Sequence, residues 1–201
     1  MDILDQRAYE RVREDYRRQV IELKRPRRVA LGSIMTLVFE SFDTVRFQVQ
    51  EMARVERIAT DAGIQAELNV YNRLLPEPGE LSATLFIELT TDEELHHWLP
   101  RLVGIETAVA FEVPAGEDGV RLVRSVPEAT HAEQLTRATE TSAVHYVRFP
   151  FSPDEVAGFA AGPVSLAAVH PAYRHRTELA EATRVELLGD LEGRTERLSF
   201  G

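Results

Sequence analysis

Apolar residues recur along the chain with two periods, and the change of period lays out its elements. Tyr9, Val12, Tyr16, Val20 and Leu23 step by three and four through a field of Arg and Glu. One apolar stripe of that kind predicts an amphipathic helix of about twenty residues, ended by Pro26. Val29–Glu40, rich in Val, Ile, Thr and Phe, predicts strand, with Gly32-Ser33 as a tight turn within it. Ser41 or Asp43 then caps a helix from about Thr44 to Ala59. A second helix starts near Asp61 and carries Ile64, Leu68, Tyr71 and Leu75 toward Pro76, which makes a helical hairpin.

Pro76-Glu77-Pro78-Gly79 is a turn by composition. From Leu81 to Leu89 the pattern alternates, with Ala83, Leu85, Ile87 and Leu89 on one face and Thr84, Phe86 and Glu88 on the other. Leu95, Leu99 and Leu102 return to helical spacing over Asp92–Val103. Two strands, Ala108–Val113 and Val120–Val126, flank the Gly-containing loop Pro114–Gly119 as a hairpin. Pro127–Ser142 reads as a mobile polar loop, Ala143–Phe149 as a strand, Pro153–Ala160 as a short helix and Val164–Val169 as a strand. Tyr173–Leu191 reads as a closing amphipathic helix. Interspersed helices and strands with a hairpin among them predict an α+β fold. The expected architecture is a single domain, a mixed and largely antiparallel sheet covered by helices. Residues 1–26 form an N-terminal helical arm on a body of residues 27–201.

Composition narrows the chemistry. With 44% hydrophobic and 28% charged residues, the chain has the makings of a packed core and not of a disordered tail. Cysteine is absent, which removes disulfides, thiolate nucleophiles and Cys-ligated zinc or iron–sulfur clusters held by this chain. A net charge of −10 opposes binding to phosphate backbones, so no nucleic-acid partner is expected. Residues 1–28 run against that balance, with nine Arg/Lys and six Asp/Glu. Their Lys24-Arg25-Pro26-Arg27-Arg28 cluster resembles a nuclear-localisation or nucleic-acid patch, and the favoured reading is a cationic helix C-terminus. No apolar run approaches the roughly 20 residues that cross a bilayer, and the first residues show no apolar signal core. The expectation is a cytoplasmic protein without a membrane partner.

Few residues break the pattern. At about 3.6 residues per turn, Glu56 falls among Val45, Val49, Met52 and Ala59 on the 44–59 helix. A carboxylate on a buried face needs a counter-charge, so Glu56 predicts an arginine or histidine partner, with a metal or acid/base site as the alternative. Glu51, between Val55 and Ile58 on the wheel, is a weaker instance. His145 and His170 sit on strands, and two imidazoles with Glu56 would suffice for a metal site. The other reading is two hydrogen-bonded core histidines. Glu93, His96 and His97 share one helical surface opposite the leucine stripe and read as solvated. Dinucleotide, phosphate-loop, zincin and serine-hydrolase motifs are absent.

Three blocks carry a resemblance: Arg27–Ile58 (RRVALGSIMTLVFESFDTVRFQVQEMARVERI), Glu67–Leu89 (ELNVYNRLLPEPGELSATLFIEL) and Ser142–Phe151 (SAVHYVRFPF). They resemble the bacterial "domain of unknown function" family numbered 3501. The resemblance implies a cytoplasmic bacterial protein and brings no catalytic residues or cofactor. Relatives of that family tend to be encoded beside rubrerythrin-like and iron–sulfur oxidoreductase-like proteins, which implies redox or oxidative-stress physiology. The function expected is therefore a non-catalytic accessory or binding protein. Its arginine-rich N-terminal helix would meet a redox partner protein or a second copy of the chain. The alternative is a small metal-dependent enzyme or metal sensor built on Glu56, His145 and His170.

Overall fold

The computed structural model describes residues 3–116, 119–128 and 139–193. Helix α1 (Gln6–Lys24) leads into strands β1 (Arg28–Ala30) and β2 (Met35–Phe39). Helices α2 (Phe42–Val55) and α3 (Asp61–Tyr71) follow, then a 3₁₀ turn at Asn72–Leu74 and strand β3 (Glu80–Ile87). Helix α4 (Asp92–Trp98) precedes strands β4 (Val109–Pro114), β5 (Val120–Arg124), β6 (Val126–Pro127) and β7 (Val144–Pro150). Helix α5 (Pro153–Ala161), the hairpin β8 (Ser165–His170) and β9 (Tyr173–Glu178), and helix α6 (Glu181–Leu191) complete the described chain.

The strands form two sheets, β1-β2-β3-β7-β6 and β5-β4-β8-β9. Every pairing is antiparallel. The sheets share one apolar core, with Phe111 of β4 as its hub. Its ring centroid lies 5.6 Å from that of Phe39 on β2, 4.9 Å from Phe149 on β7 and 5.8 Å from Phe159 on α5. Rings at these separations and tilts gain quadrupolar attraction beyond their burial. The chain changes sheets between β5 and β6 at Ser125, whose hydroxyl donates to Glu106 O (2.8 Å) and accepts from Val109 N (3.2 Å). A polar residue buried at that corner thereby has both of its roles filled.

The α+β class follows the sequence pattern, but the single mixed sheet does not: there are two sheets, with antiparallel pairing throughout. Val29–Glu40 is a hairpin that turns at Gly32, where φ is +76° and a Cβ would run into the Tyr173 hydroxyl and the His175 ring. Only glycine meets both demands. The closing helix expected over Tyr173–Leu191 begins only at Glu181. Tyr173–Glu178 instead pairs with β8 in register Ser165↔Glu178 to His170↔Tyr173. Pro171-Ala172 makes the turn, and Tyr173 fixes the strand by donating to Leu31 O (2.8 Å) and accepting from Ile34 N (3.3 Å). Tertiary pairing has overridden a helical spacing there. Of the loop read at Pro127–Ser142, residues 129–138 lie outside the described residues.

Helix α1 lies on α2 through a small cluster of its own, in which Tyr9, Tyr16 and Val20 are buried with Phe47 against them. Asp5 caps it by accepting from Ala8 N. Its polar anchor is Glu51 of α2. One carboxylate oxygen takes Tyr9 Oη (2.7 Å) and Arg13 Nε (2.8 Å), and the other takes Arg13 Nη2 (3.0 Å) and Arg54 Nη2 (3.2 Å). Arg13 therefore faces inward, onto α2. Among the described residues no helix is long and apolar enough to cross a membrane.

The Arg13 fork, with Tyr9 and Arg54, holds the Glu51 carboxyl down at about 2 against the opposing effect of burial. An unfolded Glu titrates at about 4.3. A pKa depressed by folding contributes stability above the unfolded value and loses it as pH falls toward the folded one. Glu51→Gln should cost about 1–3 kcal/mol at pH 7. In urea unfolding, its gap to the parent protein should close between about pH 4.3 and 2. A gap that stays constant across that range would contradict the anchor.

Candidate functional site

The residues singled out by the sequence do not converge. Glu56 follows the last residue of α2, and its carboxylate is exposed; its backbone N–H closes the helix on Met52 O (2.9 Å). The helix stops four residues before Ala59, so the buried arc on which Glu56 was placed ends before reaching it. His145 is buried on β7, its Nε2 2.9 Å from Thr141 Oγ1 and 2.9 Å from Ser142 O. Burial pushes that imidazole's pKa down, while the nearby Glu106 and the Ser142 carbonyl act the other way. His170 ends β8 in the other sheet, with Nε2 3.1 Å from Val103 O and Nδ1 accepting from Ala172 N. Among the described residues no group of three His, Asp or Glu side chains is placed to hold a metal ion. The surface reading of His96 and His97 agrees with their exposure.

What the fold does assemble is a cavity of about 280 Å³ between the five-stranded sheet and the helical hairpin. Its floor follows from strand register. Val38 of β2 faces Thr84 of β3, which faces Tyr146 of β7, and the next row runs through Phe86 and Val144. These are the residues that alternate away from the sandwich core, where Leu37, Leu85 and Val147 point. Val45 and Gln48 of α2, with Tyr71 at the end of α3 and Leu74 of the following 3₁₀ turn, form the roof, and Lys24 and Arg28 stand at one side. All five residues of β2 are buried, because the sandwich covers one face and the hairpin the other.

Glu40 supplies the polar centre. It is the residue after β2, lines the cavity and is 9% exposed. Thr44 donates to one carboxylate oxygen at 2.5 Å, and Thr84 donates to the other at 2.6 Å. Thr44 is held for this role by the capping box of α2, in which its hydroxyl accepts from Ser41 N (2.8 Å) while Ser41 Oγ accepts from Thr44 N. The backbone of Glu40 is fixed as well: its N–H donates to Ser82 O (2.8 Å), and its carbonyl accepts from Arg27 Nη1 (3.4 Å). Arg27 is itself buried and pairs with Asp190 at 2.7 Å and with Glu186 at 2.7 Å, so the C-terminal helix braces the same corner.

Two phenols line the same cavity. Burial raises the pKa of Tyr146, and Tyr71 and Glu40 raise it further. Burial also raises that of Tyr71, against a hydrogen bond from Gln48 and with Glu67 and Glu56 adding to the rise. Both rings stay neutral at physiological pH. Among the described residues the lining therefore combines the Glu40 carboxylate, neutral hydroxyls, aromatic surface and, at one side, the cations Lys24 and Arg28, with no imidazole. Glu40 carried little signal in the sequence. It lies on the outward row of its strand, which only the folded hairpin makes interior.

Residues 1–191 match the profile of the family described as "Protein of unknown function (DUF3501)". A crystal structure described as a novel protein of unknown function from Burkholderia pseudomallei is similar to this chain. It is 36% identical with a TM-score of 0.83, and the match covers 94% of this chain and 96% of that one. Among curated proteins nothing matches.

Thr84→Val removes one of the two donors to a buried carboxylate without changing side-chain shape. It should lower stability by about 1–3 kcal/mol in urea unfolding at pH 7, and Thr84→Ser should restore most of the loss. Equal losses for Val and Ser would show that the methyl group, and not the hydroxyl, matters there.

Proposed function

The chain belongs to the DUF3501 family, and from that premise we propose that it is a binding protein that holds a small molecule in the cavity between its five-stranded sheet and helical hairpin. The observation that carries this reading is Glu40. It is a carboxylate kept inside the protein by two dedicated hydroxyl donors, and it lines a cavity whose walls are mainly apolar and aromatic, with Lys24 and Arg28 at one side. Ligand sites combine largely apolar walls with a few fixed polar groups in this way, and about 280 Å³ lies just below the usual range of roughly 300–1,000 Å³. The ligand is correspondingly small.

Binding is favoured over catalysis because, among the described lining residues, there is no imidazole and the one amine, Lys24, makes no hydrogen bond to a lining hydroxyl. The two threonine hydroxyls nearest Glu40 serve as its donors. The accessory role expected from the sequence is kept, with its working surface moved from the arginine-rich arm to the cavity. A cytoplasmic setting in redox or oxidative-stress physiology comes from the family resemblance. In that setting a chain without cysteine acts by binding and carries no thiol chemistry. The metal-dependent alternative gains no support from the placement of Glu56, His145 and His170.

Val144→Phe would fill the cavity from its floor, where Val144 is half-buried. A bacterial extract fraction below about 1 kDa should raise the melting temperature of the parent protein, as a ligand that binds only the folded state must. The same fraction should leave a folded Val144→Phe protein unmoved. Equal shifts in both proteins, or none in the parent, would refute the proposal.

A further inference from the structure

We infer that the cavity is built for a small organic cation, a primary or N-methylated alkylammonium whose charged nitrogen rests on Glu40. The inference rests on the reading of the cavity as a ligand site and names the class of molecule it takes.

The coordination of Glu40 is unfinished. An ionised carboxylate has about four lone-pair positions, and its partners here, Thr44 and Thr84, occupy two. Among the described residues no Arg, Lys or His forms an ion pair with it. Two other buried carboxylates have a cation: Asp190 has Arg27 and Asp43 has Arg46. Removing a carboxylate from water is costly unless a counter-charge or several donors replace the solvent. Among the described residues Glu40 is thus a buried acid with no cation paired to it, and it lines a cavity.

The wall of the cavity suits a cation as well. Phe86, Tyr71 and Tyr146 line the same space, and aromatic faces attract alkylammonium groups through their quadrupoles. Both phenols stay protonated, so they add no second full charge and can turn hydroxyl oxygens toward N–H donors. The cations at the side of the cavity are engaged elsewhere. Arg28 pairs with Glu88, and the Lys24 ammonium lies 5.7 Å from the Phe47 ring centroid. Neither neutralises Glu40. An anionic ligand would face the repulsion of that carboxylate with only Lys24 left to offset it, and a neutral alcohol would gain one hydrogen bond but no charge attraction.

The test is calorimetric titration of the full chain with butylammonium and choline, against 1-butanol and butyrate as neutral and anionic counterparts. At least one of the two cations should bind at least about tenfold more tightly than 1-butanol, and butyrate should not bind. Glu40→Gln should weaken cation binding by about tenfold or more. Should Glu40→Gln fail to fold, Phe86→Leu decides, since it leaves the bonds of Glu40 in place; it should weaken the cations by about two- to thirtyfold and leave 1-butanol nearly unchanged. Cations that bind no better than 1-butanol, or that bind a folded Glu40→Gln or the Phe86→Leu protein as they bind the parent, overturn the inference. If the extract fraction still shifts the parent and not Val144→Phe while the cations fail, the cavity is a binding site for another class of ligand and only this inference falls.

Discussion

Strand β2 has no exposed residue, and that double burial governs what lies around it. Met35, Leu37 and Phe39 point into the sandwich, while Thr36 and Val38 point beneath the helical hairpin. A strand buried on both faces cannot leave a polar neighbour to solvent, so each polar group on the hairpin side must find its partner inside the protein. Thr36 donates to Glu88, Thr84 and Thr44 donate to Glu40, and Arg27 reaches Asp190 and Glu186 from the preceding turn. The cavity exists because the hairpin lies over this sheet face without filling it, and Glu40 stands where the roof begins.

The same corner is braced from several directions. The capping box of α2 places Thr44, strand register places Thr84, and the Arg27–Asp190 pair ties the turn before β1 to α6, which packs on the core through Leu187 and Leu191. A buried ion pair of that kind gives little net stability over an apolar replacement, yet losing one partner is costly. Its consequence here is positional, since Arg27 also donates to the carbonyl of Glu40. Helix α1 presses on the outside of α2 through Tyr9, Tyr16 and the Glu51 anchor, so the N-terminal arm acts as a backing for the roof of the cavity. Sites held to within fractions of an ångström need this kind of supporting shell.

How much of this was legible in the sequence differed by residue. Helix α1, the hairpin α2–α3 and strand β3 follow from spacing alone, because each buries one continuous stripe or face. The strand β9 was hidden, since Tyr173-Arg-His-Arg-Thr-Glu exposes four of its six side chains and is fixed by pairing to β8 and by Tyr173 on the β1–β2 turn. Glu51 had a detectable signal as a carboxylate within an apolar arc, and an arginine partner does meet it. Glu56 carried the same signal, but its helix ends one residue earlier, and an arc drawn on a wheel has no meaning beyond the helix. Glu40 had almost none. Periodicity puts it on the outward row of a strand, and the pattern within one element cannot say that a second element will roof that row.

The central claim is that Glu40 marks an interior binding site for a small organic cation. Its most direct measurement is a map of methyl chemical shifts in the protein labelled at Val, Leu and Ile and titrated with butylammonium. The account predicts saturating shifts at the lining residues Val38, Val45, Leu74 and Val144, with Leu122, Val169 and Val185 on the outer surface unmoved. Saturating shifts confined to the outer surface, or none at the four lining residues, would contradict it.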